Sequence, residues 1–201
     1  MTPEQAAVIV NPDEVIRRLI ELGRPIMLQH WAPDSCVAAT RVGLDVLTHY
    51  GINDAHEVSV GVLALNAPAA IHMANGEAID IPKWNPIDGS WAVNCAWLAP
   101  TNPWKGHLVI LRQDKLIDLS LDQWSRPAYN MVFAAGSFEV PVGFGPGQAE
   151  FHLSLPNGTA IWYKAWPDDQ GFQPSPDWNA GPLADQIRTE VIAAIDAGGQ
   201  A

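Results

Sequence analysis

Three residues stand out for the chemistry they could perform together. Cys36 lies in Pro33-Asp-Ser-Cys-Val-Ala-Ala-Thr-Arg-Val, where an apolar-periodic run begins, and that spacing predicts a place in the first turn of a helix. Unpaired N–H groups and the positive end of the helix macrodipole favour a thiolate there. His107 opens Gly106-His-Leu-Val-Ile-Leu-Arg, and Asp118 closes Lys115-Leu-Ile-Asp-Leu after a turn at Gln113-Asp114. That pattern predicts a β-hairpin. A two-residue loop sets Asp118 opposite Val109 and diagonal to His107, whereas a loop shifted back by one residue sets His107 and Asp118 directly opposite. Either register puts both on one sheet face, and the carboxylate reaches the ring most easily in the second. An aspartate so placed fixes the histidine tautomer and stabilises the imidazolium. A thiol served by such a base can attack a carbonyl and form an acyl-enzyme.

Each residue alone has a plainer explanation. Cysteine is among the most buried residue types, an isolated histidine is commonly a core or surface residue, and a strand-end aspartate is commonly a turn or cap. The combination, with the cysteine at a helix start upstream, favours the catalytic reading. Cys95, in Trp91-Ala-Val-Asn-Cys-Ala-Trp, sits among apolar residues and reads as core or pocket wall. Close regular ligand spacings such as Cys-x2-Cys or His-x3-His do not occur, so no zinc site and no other metal or cofactor is expected. Gly143 to Gly147 (GFGPG) lacks the Lys-Ser/Thr of a phosphate loop and reads as a strand connector.

The elements that must position these groups follow from periodicity and punctuation. Asn11 caps a first helix with Pro12 in its first position and Val15, Ile16, Leu19 and Ile20 as its apolar stripe, and Gly23 and Pro25 stop it. Asp34 or Ser35 caps the second helix, whose buried stripe includes Ala39, Val42, Val46 and Tyr50, and Gly51 ends it. His56 to Asn66 alternates as a half-buried strand. Ala69 to Met73 extends the strand system, and Glu77 to Ile81 adds a short strand. Residues 82–103, with three Trp and four Pro, form an irregular aromatic excursion before His107 that shapes a substrate groove. One helical turn is expected over Leu121–Trp124, with Asp122 as a cap. Pro156-Asn-Gly joins strands at Glu150–Leu155 and Thr159–Trp166. A polar, Pro-rich loop leads to a terminal helix over Leu183–Ala197.

Composition limits the wider possibilities. A chain of 201 residues that is 48% hydrophobic can bury a substantial core, and one domain is expected: a helical part (1–55), an antiparallel sheet (56–166), and a loop with a terminal helix (167–201). Only 16% of residues are charged, while nine Trp and seventeen Pro indicate loops pinned by aromatic anchors. A net charge of −11 with scattered Lys and Arg argues against nucleic acid as partner. Met1–Val10 has neither a basic n-region nor an apolar h-region, and no window approaches 18 apolar residues. Neither a signal peptide nor a membrane span is expected, and a reducing, cytoplasmic location is the default. Two cysteines make no disulfide framework for a chain this large.

The order of a helix-start Cys, a His on one strand and an Asp on the next resembles transglutaminase-like and arylamine N-acetyltransferase-like enzymes, the circularly related cousins of papain. Two segments carry the resemblance. They are Asp34-Ser-Cys-Val-Ala-Ala-Thr-Arg-Val and Gly106-His-Leu-Val-Ile-Leu-Arg-Gln-Asp-Lys-Leu-Ile-Asp-Leu-Ser-Leu-Asp-Gln-Trp, well under a third of the chain. Asp118-Leu-Ser stands where the transglutaminase-like group has Asp-x-Thr/Ser. The resemblance implies an α+β, papain-like fold in which the nucleophile helix packs on an antiparallel sheet, followed by a C-terminal helix. It implies Cys36 as nucleophile, His107 as general base and Asp118 as orienting acid. Gln29, seven residues upstream, resembles the oxyanion-binding glutamine that papain-like enzymes place before the nucleophile, and the N–H of Cys36 is another candidate. His30 and Trp31 are neighbours placed to line the mouth, with plain packing the equal alternative for Trp31. Asp122 is the rival to Asp118, with a spacing from His107 nearer the acetyltransferase pattern.

The chain lacks the Gly-x-Cys-Trp motif of animal transglutaminases and the Arg-Gly-Gly-x-Cys motif of the acetyltransferases, so only the triad carries over. The expected activity is thiol-dependent acyl transfer, as a cysteine peptidase, amidohydrolase or transglutaminase-like deamidase on a peptide, protein or small amide or thioester. The alternative is a catalytically inactive papain-like binding, structural or accessory protein.

Overall fold

The computed structural model describes residues 11–32, 34–77, 89–145, 150–179 and 181–198. Helix α1 (Pro12–Arg18) starts where Asn11 Oδ1 accepts the Asp13 N–H at 3.0 Å, with Pro12 in its first turn. The predicted stop at Gly23 and Pro25 does not occur. The chain widens into a π turn at Leu19–Gly23 and continues as α2 (Arg24–His30). Pro25 falls in the opening turn of that second segment, where its missing N–H is tolerated. Helix α3 (Cys36–His49) begins after Ser35, and Gly51, at φ +77°, follows its end as expected.

Seven strands build one curled, antiparallel sheet: β1 (Ala55–Leu65), β2 (Ala92–Cys95), β3 (His107–Arg112), β4 (Lys115–Asp118), β5 (Gly136–Glu139), β6 (Glu150–Ser154) and β7 (Ala160–Ala165). Their order is β5-β4-β3-β1-β7-β6, with β2 also on β1. The two hairpins read from the sequence, β3–β4 and β6–β7, both form. β2 and β5 were not anticipated: each has only four residues and none of them is fully buried, so neither carries an apolar run long enough to mark a strand. Ala69–Met73 is not strand but part of helix α4 (Ala67–Ala74). Asn66 caps it by accepting the Ala69 N–H at 3.2 Å, Pro68 falls in its first turn, and its alanines favour helix over strand. The strand expected at Glu77–Ile81 falls, beyond Glu77, outside the described residues. The terminal helix is α5 (Pro182–Gly198). Among the described residues no helix is long and apolar enough to cross a membrane.

The sheet separates two apolar clusters. On its inner, curled face Val58, Val60, Val62, Val109, Leu111, Leu116, Ile161 and Tyr163 pack with Trp124, Met131, Phe133 and Phe151. On the other face Ile110, Ile117 and Leu119 meet Val42 and Val46 of α3, Leu19 of the π turn, and Ile187 and Val191 of α5. The approach of α3 is close enough to need a glycine: a Cβ on Gly43 would lie 2.5 Å from Leu119 Cδ1 and 2.8 Å from Ile110 Cδ1. Thr40 Oγ1, buried in the same helix, donates to the Leu108 carbonyl at 3.0 Å. The start of α3 is thereby fixed beside the start of β3.

Candidate active site

β2 and β3 lie end to end along one edge of β1. β2 pairs with Val62 to Leu65 and β3 with Ala55 to Val60, leaving Gly61 between them. A Cβ on Gly61 would sit 2.5 Å from the Ala96 carbonyl oxygen, so the chain leaving β2 crosses directly over this point. Cys95, opposite Val62, and His107, opposite Val60, flank the gap. The site is built there.

The β3–β4 turn is the two-residue loop Gln113-Asp114: Arg112 pairs with Lys115 and Ile110 with Ile117. Gln113 takes a positive φ of 54° to close it. This is the first of the two registers open from the sequence, with Asp118 diagonal to His107. Direct opposition is not needed, since His107 Nε2 reaches Asp118 Oδ2 at 2.8 Å and both side chains are fully buried.

Burying a carboxylate is costly unless hydrogen bonds replace its water. Asp118 receives three. Its Oδ2 also accepts from the Tyr163 hydroxyl at 3.0 Å, and its Oδ1 accepts the Ser120 N–H at 3.0 Å. Burial, then the charge and hydrogen bond of Asp118, push the Tyr163 pKa well above its ordinary value of 10.0, which keeps this hydroxyl a donor. For His107 burial alone would lower the pKa. The charge and hydrogen bond of Asp118, followed by hydrogen bonding and charge from Cys36, outweigh it and raise the pKa above the ordinary 6.5. Cys36 and Asp118 therefore act on the same ring.

Cys36 is the first residue of α3 and is only 7% exposed. It packs with Val37, Leu108 and Phe172, and Trp104 and Trp178 close over this small cluster. Trp104 Nε1 donates to Ser59 Oγ at 3.2 Å, and Ser59 Oγ donates to Asp169 Oδ2 at 3.1 Å. Asp169 lines a cavity of about 350 Å³ with Pro100, Trp166, Pro167 and Asp168. Cys95 donates to the Lys105 carbonyl at 2.5 Å, and burial, with a further contribution from Cys36, pushes its thiol up to about 12. It is a half-buried wall of the gap, in keeping with its reading as core or pocket wall.

The structure brings Cys36, His107 and Asp118 together and leaves other candidates apart. Gln29 is exposed in α2, and among the described residues its side chain has no hydrogen-bond partner. His30 and Trp31 do not line the mouth: His30 Nε2 meets Glu190 Oε2 of α5 at 3.0 Å, and Trp31 packs in the helical cluster. Asp122 is neither the orienting acid nor a helix cap. The short helical turn Leu121–Trp124 follows Ser120, and Asp122 Oδ1 accepts from the buried Arg24 Nη2 at 2.7 Å. Among the described residues no group of three or more His, Cys, Asp or Glu side chains is arranged to hold a metal ion.

Two further residues of the site were not read from the sequence. Gln123 Nε2 lies 2.8 Å from His107 Nδ1, carried there by the turn after β4. Tyr163 reaches Asp118 of β4 from β7, across β1 and β3 on the curled face. The signal for Tyr163 was a hydroxyl on the buried side of an alternating strand, which needs a partner. Gln123 carried no such signal. Compared with known proteins, the chain matches no family model, no curated protein and no solved structure.

Proposed function

We propose that this chain is a thiol-dependent acyl-transfer enzyme of papain-like or transglutaminase-like architecture, with Cys36 as nucleophile, His107 as general base and Asp118 as orienting acid. The observation that carries the reading is the buried 2.8 Å His107–Asp118 contact on a ring that also interacts with Cys36, the first residue of α3. His107 takes the thiol proton, and the Cys36 sulfur bonds to the carbonyl carbon of an amide, ester or thioester. The developing oxyanion is met by N–H groups at the start of α3, that of Cys36 first among them. His107 returns the proton to the leaving group as the bond to it breaks, leaving a thioester on Cys36. A water molecule, deprotonated by His107, then releases the acid. Hydrolysis is the first assignment; an amine in place of water gives transamidation or N-acyl transfer through the same intermediate. The cavity lined by Asp169, which Ser59 links to Trp104, is a space for a substrate side chain, and a reducing, cytoplasmic setting suits a working thiol.

The covered sulfur favours a second reading, in which the same architecture serves as a non-catalytic binding or structural protein. Iodoacetamide labelling near neutral pH separates them. The enzyme reading expects Cys36 to be alkylated faster than a free thiol and His107→Ala to remove that advantage. Alkylation no faster than a free thiol, unchanged by His107→Ala, would dismiss it in favour of the second reading.

A further inference from the structure

We propose that Gln123 is a positioning residue of this site: whenever the ring is neutral its carboxamide N–H caps His107 Nδ1 and fixes the Nε2–H tautomer, and the amide turns away as the imidazolium forms. The inference deepens the acyl-transfer reading by naming what regulates its base. Asp118 accepts from Nε2, so in the neutral ring that nitrogen carries the proton and Nδ1 offers its lone pair. Gln123 Nε2, at 2.8 Å, fills that lone pair. Nδ1 is the nitrogen that must receive the thiol proton, because Nε2 is committed to Asp118. In the neutral ring the base is thus occupied at its reactive atom.

The backbone of Gln123 is anchored while its amide has room to turn. Its N–H donates to the Ser120 carbonyl at 3.1 Å, and its carbonyl accepts from Arg126 Nη1 at 2.8 Å. The neighbouring Asp122–Arg24 ion pair ties the same turn to α2, and Trp124 stands edge-on to the imidazole at 5.3 Å between ring centres. The side chain itself is only half-buried. Protonation of Nδ1 would set two donors against each other, so the imidazolium requires the Gln123 amide to rotate or leave. A substrate that displaces it frees the base at the moment the thiol proton has to move.

The groups facing His107 act in opposite directions. Asp118 from β4 and the Cys36 thiol of α3 favour the imidazolium, and Tyr163 from β7 shares the Asp118 oxygen. Cys95 of β2 is coupled to the Cys36 thiol, and the Arg24–Asp122 pair is internally neutralised. The Gln123 N–H favours the neutral ring. Its removal therefore moves the His107 titration upward.

Nitrogen NMR of the ring tests this without relying on turnover. In the wild-type protein at a pH where the ring is neutral, Nδ1 is expected to be unprotonated and Nε2 protonated. Gln123→Met, similar in volume but without the donor, is expected to raise the His107 midpoint by about half a pH unit or more, the shift that one lost neutral hydrogen bond produces. Cys36 is expected to be alkylated about threefold faster at a fixed pH near neutral. Gln123→Glu, which replaces the donor by an acceptor, serves as the second variant and raises the His107 midpoint further. A protonated Nδ1 in the neutral wild-type ring, or His107 midpoints that stay put or fall in the folded variants, would overturn the assignment. Those results leave the acyl-transfer reading standing, because that reading fails only on the reactivity of Cys36 and its dependence on His107.

Discussion

Removal of one hydroxyl, Tyr163→Phe, probes how a fully buried carboxylate is held at this site. The phenol ring is stacked on Phe151 at 5.2 Å between centres and packs in the inner cluster, so phenylalanine keeps the ring contacts. What is lost is the 3.0 Å hydrogen bond to Asp118 Oδ2. Asp118 is 0% exposed, so bulk water cannot replace that donor, and two remain where there were three. A hydrogen bond to a charged group contributes roughly 1.5–3 kcal/mol. We expect a loss near 2 kcal/mol, offset only slightly by the better burial of a less polar ring. With a urea slope of about 2 kcal/mol per molar for a chain of this size, the unfolding midpoint falls by about 1 M. A second consequence has a definite sign: with one fewer donor on Oδ2, Asp118 holds the His107 proton more firmly, and the ring midpoint rises. Urea unfolding followed by tryptophan fluorescence, paired with the ring titration, measures both. A midpoint shift under about 0.25 M, or a lowered His107 titration, would refute the reasoning.

Three further outcomes are expected. Because the folded His107 pKa is raised above its unfolded value of 6.5, its contribution to stability is complete below about pH 6.5 and is lost as pH rises through the folded pKa. The stability difference between wild type and His107→Gln, measured in urea at steps from pH 6 to 9, should therefore shrink with pH, and a difference that grows would contradict the shift. Gly61→Ala forces a Cβ to within 2.5 Å of the Ala96 carbonyl, a backbone atom that cannot step aside as a side chain does. It should cost about 1–3 kcal/mol and slow Cys36 alkylation together, whereas unchanged melting would show that the gap between β2 and β3 is slack. Cys95, with its thiol pushed up to about 12, should stay unmodified at pH 8 while Cys36 reacts, and peptide mapping that finds Cys95 labelled first would reverse that order.

Much of the site was legible because its parts follow strong local rules. The apolar stripe after Asp34-Ser35 placed Cys36 in a first helical turn, and Gln113-Asp114 limited His107 and Asp118 to two registers on one face. Of those two the chain takes the diagonal register, in which the length of the imidazole and carboxylate side chains still bridges the pair. Features set by tertiary packing were hidden. Pro25 does not end the helix because a π turn precedes it. Ala69–Met73 looked like strand among strands, and the Asn66 cap that decides for helix was taken as the end of β1. Asp122 is drawn away by Arg24, 98 residues distant. Gln123 depends on how a single turn folds back over a ring sixteen residues earlier, which periodicity does not encode.

The decisive measurement is intact-mass analysis after brief exposure to a p-nitrophenyl acyl ester, followed by peptide mapping. One acyl group on Cys36 in the wild type, strongly reduced in Asp118→Ala and absent in His107→Ala and Cys36→Ser, is the expected result. No adduct on Cys36, or one that forms equally without His107, would contradict a working triad at the gap in this sheet.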